Sequence, residues 1–376
     1  MLMTKTRYRF AGRGLELNVG HGIDPQITRT LQEELGLYEQ VGLEGKAEVV
    51  VNVADTLPKT QVRLVNPAIH LEVEDGFIVR YKGYAIMSRK RDGQVVFDVE
   101  IERRYNPVVN YLRKLNNIQY NSVAERVGHI LFENVLIPAI YFDADKFLLH
   151  ASAFQNENGD AVLVGGTGGV GKTSLELELC IHRGFGFLAD DMGIITKTGL
   201  VYPNLAFPKV YGYNLRDNSD LKKRIMKGRS LPDQFAWKFR QTLFGDSGVR
   251  RKVSPRQLYA RYLTKPANLR HYIILLREAR DNIESLEIDS ETAAAMSINV
   301  LLTELGTFNN HVLWHEYNCL VEGRKPILSL QETVSRWRAL TRQVLAGVKC
   351  QVILIPLKIE HETFINKVSN LITALN

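Results

Sequence analysis

The first hundred residues alternate short apolar runs with turn-forming residues, which is the pattern of a β-rich segment. Two Asp-Gly pairs, Asp75-Gly76 and Asp92-Gly93, each lie between runs that are rich in strand-forming residues. Because Asp-Gly readily adopts the turns that join neighbouring strands, each pair predicts a β-hairpin. Residues 28–37 predict a short helix, and residues 52–60 have the composition of a loop.

The spacing of the apolar residues becomes helical further along the chain. Between residues 121 and 137 they recur at intervals of three or four positions, which predicts a helix that Pro138 ends or bends. We therefore place a domain boundary near residue 118. It separates a β-rich N-terminal domain (residues 1–118) from a second domain (residues 119–376).

Strand and helix patterns alternate in the second domain, which predicts a mixed α/β fold. The predicted strands are residues 146–154, 161–164, 185–189, 271–276 and 351–357. The predicted helices are residues 172–183, 329–346 and 362–375. A hairpin is also expected within residues 191–208, around Thr198-Gly199.

Composition narrows the class of protein. The 376 residues are 45% hydrophobic and 24% charged, which is typical of a globular protein. No apolar run approaches the ~20 residues that a membrane span needs, so no membrane partner is expected. The first ten residues lack the apolar core of a secretory signal, and the three cysteines are too few and too scattered for a disulfide framework. These features predict a cytoplasmic protein.

The positive charge is concentrated in one segment. The net charge is +7, but residues 209–256 alone contain 13 Lys or Arg and 4 Asp. We call residues 209–256 the basic insertion. Its aromatic residues Phe235, Trp237 and Phe239 lie among cations. The ordinary interpretation is that the aromatics pack on the core while the cations stay in water. A docking surface for an acidic or phosphorylated partner, or for nucleic acid, is an alternative.

One motif carries clear chemistry. Residues 166–173 match the nucleotide-binding pattern G-x-x-x-x-G-K-[ST], between a predicted strand and a predicted helix. Glycines let backbone N–H groups turn towards phosphate oxygens, and the following helix N-terminus favours anions. In this pattern the lysine reaches the β- and γ-phosphates, and the hydroxyl of Thr173 binds Mg²⁺. The predicted nucleotide-binding residues are Gly166, Thr167, Gly168, Gly169, Val170, Gly171, Lys172, Thr173 and Ser174.

Two acids follow the next apolar strand along the chain. Asp190 and Asp191 end the run Phe187-Leu188-Ala189, and the gap after Lys172 has room for one helix and one turn. Neighbouring residues at a strand end point in opposite directions, so the two carboxylates are expected to have different roles. One can hold Mg²⁺ and the other can accept the proton of a hydroxyl nucleophile. Spacing alone leaves open which acid does which.

The order of these motifs resembles the HPr kinase/phosphorylase family and its HPr-kinase-like relatives. The matching stretch, residues 148–193, runs from His150-Ala151-Ser152-Ala153 through the P-loop to Ala189-Asp190-Asp191. The resemblance implies a mixed α/β catalytic domain of the phosphoenolpyruvate-carboxykinase-like fold. It also implies that Lys172 and Thr173 bind ATP and Mg²⁺, that Asp191 lies on the metal side, that Asp190 is the base, and that His150 lies near the transferred phosphate.

The resemblance implies an ATP- and Mg²⁺-dependent kinase that phosphorylates a hydroxyl, with serine of a protein or peptide as the expected acceptor. Small-molecule kinases, nucleotide-gated binding modules whose basic insertion binds a partner, and kinases of modified DNA or RNA are the alternatives. A homo-oligomer is expected by the same resemblance. The β-rich N-terminal domain and the basic insertion have no counterpart in the regulatory HPr kinases. Arg324, Arg250 and Arg251 are candidates for the arginine near the γ-phosphate.

His311 and His315 have the spacing of metal ligands on one helix face. Two histidines alone make an incomplete zinc site, so the sequence predicts no metal there.

Overall fold

The computed structural model describes residues 3–67, 69–101, 120, 122–216 and 218–375, and the expected mixed α/β class is confirmed. The chain forms two compact units. The first consists of Met1–Asn106, Ala124–Ala144 and Leu302–Arg336. The second consists of Pro107–Val123, Asp145–Leu301 and Trp337–Asn376. The boundary predicted near residue 118 lies outside the described residues, and two later segments belong to the first unit.

The first unit is built on one eight-stranded sheet. In chain order its strands are β1 (Met3–Phe10), β2 (Arg13–Gly20), β3 (Val49–Ala54), β4 (Leu64–Asn66), β5 (His70–Val73), β6 (Gly76–Tyr81), β7 (Tyr84–Arg91) and β8 (Gln94–Ile101). They lie in the order β1-β2-β3-β8-β7-β6-β5-β4, and β3 is parallel to both of its neighbours. Both predicted hairpins are confirmed, as β5–β6 and β7–β8. Asp92 and Gly93 both have positive φ, as a tight hairpin turn requires.

The loop predicted for residues 52–60 is wrong for its first three residues, which belong to β3. Asn52 lowers the strand propensity of this segment, but the sheet satisfies its amide. Asn18 donates to Asn52 over 2.9 Å, and Asn52 donates to Asp98 over 2.8 Å. This polar ladder links three neighbouring strands, β2, β3 and β8. It forms only once the strands pair, so the local sequence does not reveal it.

The described helices are α1 (Pro25–Leu35), α2 (Val123–Leu131), α3 (Lys172–His182), α4 (Ser219–Met226), α5 (Leu231–Phe244), α6 (Pro255–Leu258), α7 (Ser290–Glu304), α8 (Gly306–Val321), α9 (Leu330–Leu345) and α10 (His361–Thr373). The helix predicted for residues 121–137 corresponds to α2, followed by a π-helical turn at Phe132–Leu136 and a last turn at Ile137–Ala139. Pro138 lies in the first turn of this last helix, where a residue without a backbone N–H is tolerated. None of the helices in the described ranges is both long and apolar enough to span a membrane.

The second unit is built on a nine-stranded sheet of mixed orientation. The remaining strands are β9 (Lys146–Leu149), β10 (Ala151–Gln155), β11 (Ala161–Gly165), β12 (Gly186–Ala189), β13 (Gly193–Thr196), β14 (Leu200–Tyr202), β15 (Lys209–Tyr211), β16 (Arg250–Lys252), β17 (Ala267–Glu278), β18 (Glu284–Glu287) and β19 (Lys349–Pro356). The main path is β12-β10-β11-β17-β14-β13-β9, with β19 on β17 and β18 on β19. β15 and β16 pair separately. The predicted hairpin around Thr198-Gly199 is confirmed as β13–β14.

The single strand predicted for residues 146–154 is wrong, because the chain forms two strands there. β9 pairs with β13, whereas β10 pairs with β11 and β12. The chain changes pairing partners at His150, which belongs to neither strand. Continuous apolar patterning hides this break, because both strands are buried on both faces.

Candidate functional site

Three strands of the second unit bring the predicted site residues to one edge of the sheet. β10 lies between β11 and β12 and is antiparallel to both. Ala151 pairs with Gly165, and Ala153 pairs with Ala189. The start of β10 therefore lies beside the carboxyl ends of β11 and β12. His150, the P-loop and Asp190 follow directly from these strand ends, so they converge although their strands are separate in the chain.

The loop after β11 needs its glycines. Gly166, Gly169 and Gly171 have φ values of 132°, 78° and 114°, in the region that side chains other than glycine rarely adopt. A Cβ on Gly166 would lie 2.6 Å from the carbonyl oxygen of Leu275, and one on Gly171 would lie 2.5 Å from the ring of Phe364. Residues 167–169 at the crest are exposed. The loop thus has the backbone freedom and the open crest of an anion-binding nest that leads into α3.

Lys172 is folded back over this loop. Its side-chain nitrogen lies 3.0 Å from the carbonyl oxygens of Gly166 and Thr167 and 3.0 Å from Nε2 of His150. The ammonium has only donors, so Nε2 of His150 accepts its hydrogen bond. Both residues are buried, Lys172 with 5% of its surface exposed. The structure therefore brings His150 and the P-loop lysine into direct contact.

The two acids after β12 lie in different environments. Asp190 is 5% exposed, and its Oδ1 lies 3.5 Å from the hydroxyls of both Thr173 and Ser152. Burial, and next the charge of Asp191, raise the pKa of Asp190 to about 6. The Asp191 side chain is 39% exposed and lies 3.5 Å from Nζ of Lys209. The alternation at a strand end predicted different roles for the two acids, and that division of roles stays a prediction.

Asp191 also has a strained backbone. Its φ is 58°, in the left-handed region that non-glycine residues seldom occupy. Such conformations concentrate at functional sites, where the surrounding structure holds them. Met192 N–H donates to the carbonyl of Asp190 over 2.6 Å and closes this tight turn.

A second buried acid near Asp190 is absent from the sequence predictions. Glu176 is fully buried in α3, and the hydroxyl of Tyr259 donates to its Oε1 over 2.5 Å. Burial, and next the charge of Asp190, raise the pKa of Glu176 well above its ordinary value. Its buried site therefore favours the protonated form of Glu176. The sequence did contain a sign of this burial, because Glu176 lies between two leucines of α3 and a charged residue is rarely buried.

Ser174 and Val170, the other predicted loop residues, are buried. The hydroxyl of Ser174 accepts a hydrogen bond from Asn214 over 2.8 Å. Ser174 thereby links the basic insertion to the start of α3.

The arginine candidates from the sequence have other contacts in the structure. Arg324 belongs to the first unit. Arg251 is fully buried and pairs with Asp233, and the guanidinium carbon of Arg250 lies 5.8 Å from the ring centroid of Tyr211.

Arg277, which the sequence analysis missed, lies beside the loop. It is near the end of β17, the strand parallel to β11, and its guanidinium carbon lies 5.3 Å from the ring centroid of Phe364. That ring packs against Gly171. Among the described residues, no hydrogen bond or ion pair occupies the guanidinium of Arg277. A cation without an acidic partner beside an anion-binding loop is suited to bind phosphate.

No protein-family model matches this chain, and no curated protein matches it.

A separate polar cluster is buried in the first unit. Glu72 of β5 is fully buried and accepts hydrogen bonds from His315 Nδ1 at 2.8 Å and from Asn318 at 3.2 Å. Arg324 forms an ion pair with the same carboxylate, and His70 Nε2 lies 3.4 Å from it. Four donors thus surround one carboxylate, which satisfies its hydrogen-bonding capacity.

Glu72, His315 and Cys319 offer ligand atoms within 4.8 Å of one another, a spacing that also suits a metal ion. His315, however, already uses both ring nitrogens. Nδ1 donates to Glu72, and Nε2 accepts the backbone N–H of Ile327 over 3.0 Å. Coordination through either nitrogen would break one of these bonds, and Arg324 already supplies the positive charge. We therefore describe the cluster as a buried ion-pair network.

We expect Glu72→Gln to destabilise the protein at neutral pH. Burial alone raises the pKa of Glu72, but hydrogen bonds led by those from His315 and His70 lower it to about 2. A carboxyl whose pKa is lower in the folded state stabilises that state, here by about 3 kcal/mol above about pH 5. The stabilisation is lost as the pH falls from about 4.5 towards 2.

Urea unfolding at several pH values checks this prediction. The difference in unfolding free energy between wild type and Glu72→Gln should shrink on acidification. Glu74→Gln, on the same hairpin but exposed, is the matched control and should change little. A difference that is equal at neutral and acidic pH would contradict the prediction.

Proposed function

We propose that the second unit is an HPr-kinase-like P-loop kinase with the phosphoenolpyruvate-carboxykinase-like fold. It transfers the γ-phosphate of ATP to a hydroxyl, with a serine of a protein or peptide as the acceptor. One observation carries this proposal: Lys172 and Thr173 of the P-loop lie at the same sheet edge as Asp190 and Asp191. Phosphorylation of a hydroxyl needs a phosphate cradle and a carboxylate base side by side.

The residues have separate tasks in this proposal. The backbone N–H groups of residues 167–171 and the start of α3 hold the phosphates, together with the ammonium of Lys172. His150 accepts a hydrogen bond from Lys172 and positions it. Thr173 and Asp191 would hold Mg²⁺, which when bound neutralises charge on the transferred phosphoryl group.

Asp190 is proposed as the base. Its raised pKa keeps it basic enough to take the proton of the acceptor hydroxyl near neutral pH. The acceptor oxygen forms a bond to the γ-phosphorus while the bond from that phosphorus to the β–γ bridging oxygen breaks. The products are ADP and a phosphorylated acceptor, and the proton remains on Asp190.

Arg277 is proposed to contact the transferred phosphate. We expect Arg277→Ala to lower kcat by about 10²-fold, because one charged donor to a developing anion is typically worth that much. Arg277→Lys should recover part of the rate. Arg270→Ala, which removes an exposed arginine at the opposite end of β17, is the matched control. Steady-state kinetics in which Arg277→Ala equals wild type would remove Arg277 from the site.

The proposal is tested by incubation of the protein with γ-labelled ATP, Mg²⁺ and extract from its own source. Label on a discrete polypeptide, absent with Lys172→Ala, supports a protein or peptide kinase. Label only on small molecules points instead to a metabolite kinase. Release of free phosphate alone, or ATP binding without turnover, favours a nucleotide-gated binding module and contradicts the proposal.

A further inference from the structure

The outer face of α5, in the basic insertion, is apolar. Leu231, Phe235, Phe239 and Leu243 recur every four residues and are 81%, 68%, 52% and 59% exposed. Residues at this spacing lie on one side of a helix, so they form a continuous strip that we call the apolar ridge. The rings of Phe235 and Phe239 stack, with centroids 6.4 Å apart. Contiguous exposed apolar surface of this kind is typical of an interaction site.

The opposite face of α5 is firmly anchored. Trp237 is 1% exposed, and the guanidinium carbon of Arg251 lies 5.0 Å from its ring centroid. Arg251 also pairs with Asp233 over 2.7 Å. The sequence expectation that the aromatics of the insertion pack on the core is therefore correct for Trp237 and wrong for Phe235 and Phe239. The anchored face fixes the helix orientation, so the apolar ridge stays exposed.

The segment that contains the apolar ridge is cationic. The described acids of the insertion are each paired with a cation of the same segment, and the pairs are Asp220–Lys223, Asp233–Arg251 and Asp246–Arg216. Lys222, Lys227 and Lys238 are exposed, and no acid in the described part of the chain pairs with them. The surplus positive charge of the insertion is therefore available at the surface. A partner that covers the ridge needs acidic side chains beside apolar ones.

The insertion is also tied to the proposed site. It begins at Lys209, which lies 3.5 Å from Asp191, and Asn214 donates to Ser174. β15, which starts at Lys209, pairs with β16, which contains Arg251. Hydrogen bonds and ion pairs thus connect the catalytic edge to α5 within the second unit. A polypeptide bound to the apolar ridge would therefore be bound by the same segment that contacts Asp191.

We propose that the apolar ridge docks the acceptor polypeptide through a segment that combines acidic and apolar residues. This inference rests on the proposed kinase function and adds the substrate class. A second copy of the chain fits less well, because ridge-to-ridge contact would bring two segments of high positive charge together. Nucleic acid could bind the cations, but its binding would not explain the exposed leucines at both ends of the ridge.

The test measures binding without nucleotide, so it does not depend on phosphate transfer. The probe is a fluorescent copolymer of glutamate and tyrosine, followed by anisotropy, with a copolymer of lysine and tyrosine for comparison. We expect the acidic copolymer to bind wild type. The double variant Phe235→Ala/Phe239→Ala, and separately Lys238→Glu, should weaken it by at least about tenfold. Leu357→Ala removes a 58% exposed apolar residue of the same unit and should have no effect.

Three outcomes would overturn the docking proposal. The first is equal binding by the double variant and wild type. The second is tighter binding of oligothymidylate than of the acidic copolymer, which would identify a general polyanion surface. The third is a wild-type dimer in sedimentation that Phe235→Ala/Phe239→Ala converts to monomer, because a second copy then covers the ridge. Lys172→Ala separates the two proposals. If this variant loses phosphate transfer but still binds the acidic copolymer like wild type, both docking and the role of the P-loop are supported independently.

Discussion

Lys172→Ala should abolish phosphate transfer, lowering the rate by at least about 10²–10³-fold. The lysine is the buried cation that reaches over the P-loop, within 3.0 Å of the carbonyls of Gly166 and Thr167. His150 cannot replace this charge, because it only accepts a hydrogen bond from Lys172. Turnover of labelled ATP, measured with acceptor extract, gives the rate.

The control for this variant is Lys197→Ala, which removes an exposed lysine of the same unit that pairs with Asp145. It should retain wild-type turnover. Circular dichroism should show that Lys172→Ala remains folded, since the change removes a buried charge. Full activity in a folded Lys172→Ala would end the P-loop assignment.

Asp190→Asn and Asp191→Asn should each impair phosphate transfer, for different reasons. An amide at position 190 cannot take the hydroxyl proton, so kcat should fall by about 10²–10⁴-fold at any Mg²⁺ concentration. An amide at position 191 loses a charged oxygen ligand, so the Mg²⁺ concentration for half-maximal rate should rise. Mg²⁺ titration of both variants separates the two effects.

This comparison also tests the assignment of roles. The hydroxyl of Thr173, which is expected to bind Mg²⁺, lies 3.5 Å from Oδ1 of Asp190. Asp190 could therefore also be the acid that holds the metal. A rise in Mg²⁺ requirement for Asp190→Asn alone would exchange the two roles. Wild-type turnover in both variants would exclude the carboxylate mechanism altogether. Asp160→Asn, a partly exposed acid at the far end of β11, is the matched control.

Local patterns predicted those parts of the fold whose cause is local. The Asp-Gly turns define their hairpins through backbone preference alone, and β11, the P-loop and α3 follow directly from one motif. The resemblance implied only that His150 lies near the transferred phosphate, and the sequence did not predict its contact with Lys172. Its physical cause is that β10 inserts between β11 and β12, and this pairing involves residues far apart in the chain.

The missed features depend on partners distant in sequence. In the sequence, Glu72 looks like an ordinary acidic residue of a strand. Its partners His315, Asn318 and Arg324 are found only in the folded structure. Arg277 lies in a strand where the pattern gives no sign of the neighbouring loop. Phe235 and Phe239 have the hydrophobicity of core residues, and only the placement of Trp237 on the other side of α5 shows that they face solvent. Burial is a property of the assembled fold, so periodicity alone cannot assign it.

The ring of Phe364 against Gly171 has a consequence for biosynthesis. The ribosome makes the P-loop well before α10, and β17 and β19 are completed in between. While the chain is still being made, the loop lacks the packing partner that supports its last glycine. If the proposed function holds, the loop can bind phosphate at full strength only once α10 has been made and packed, so a truncated chain that stops before α10 would be inactive rather than prematurely active.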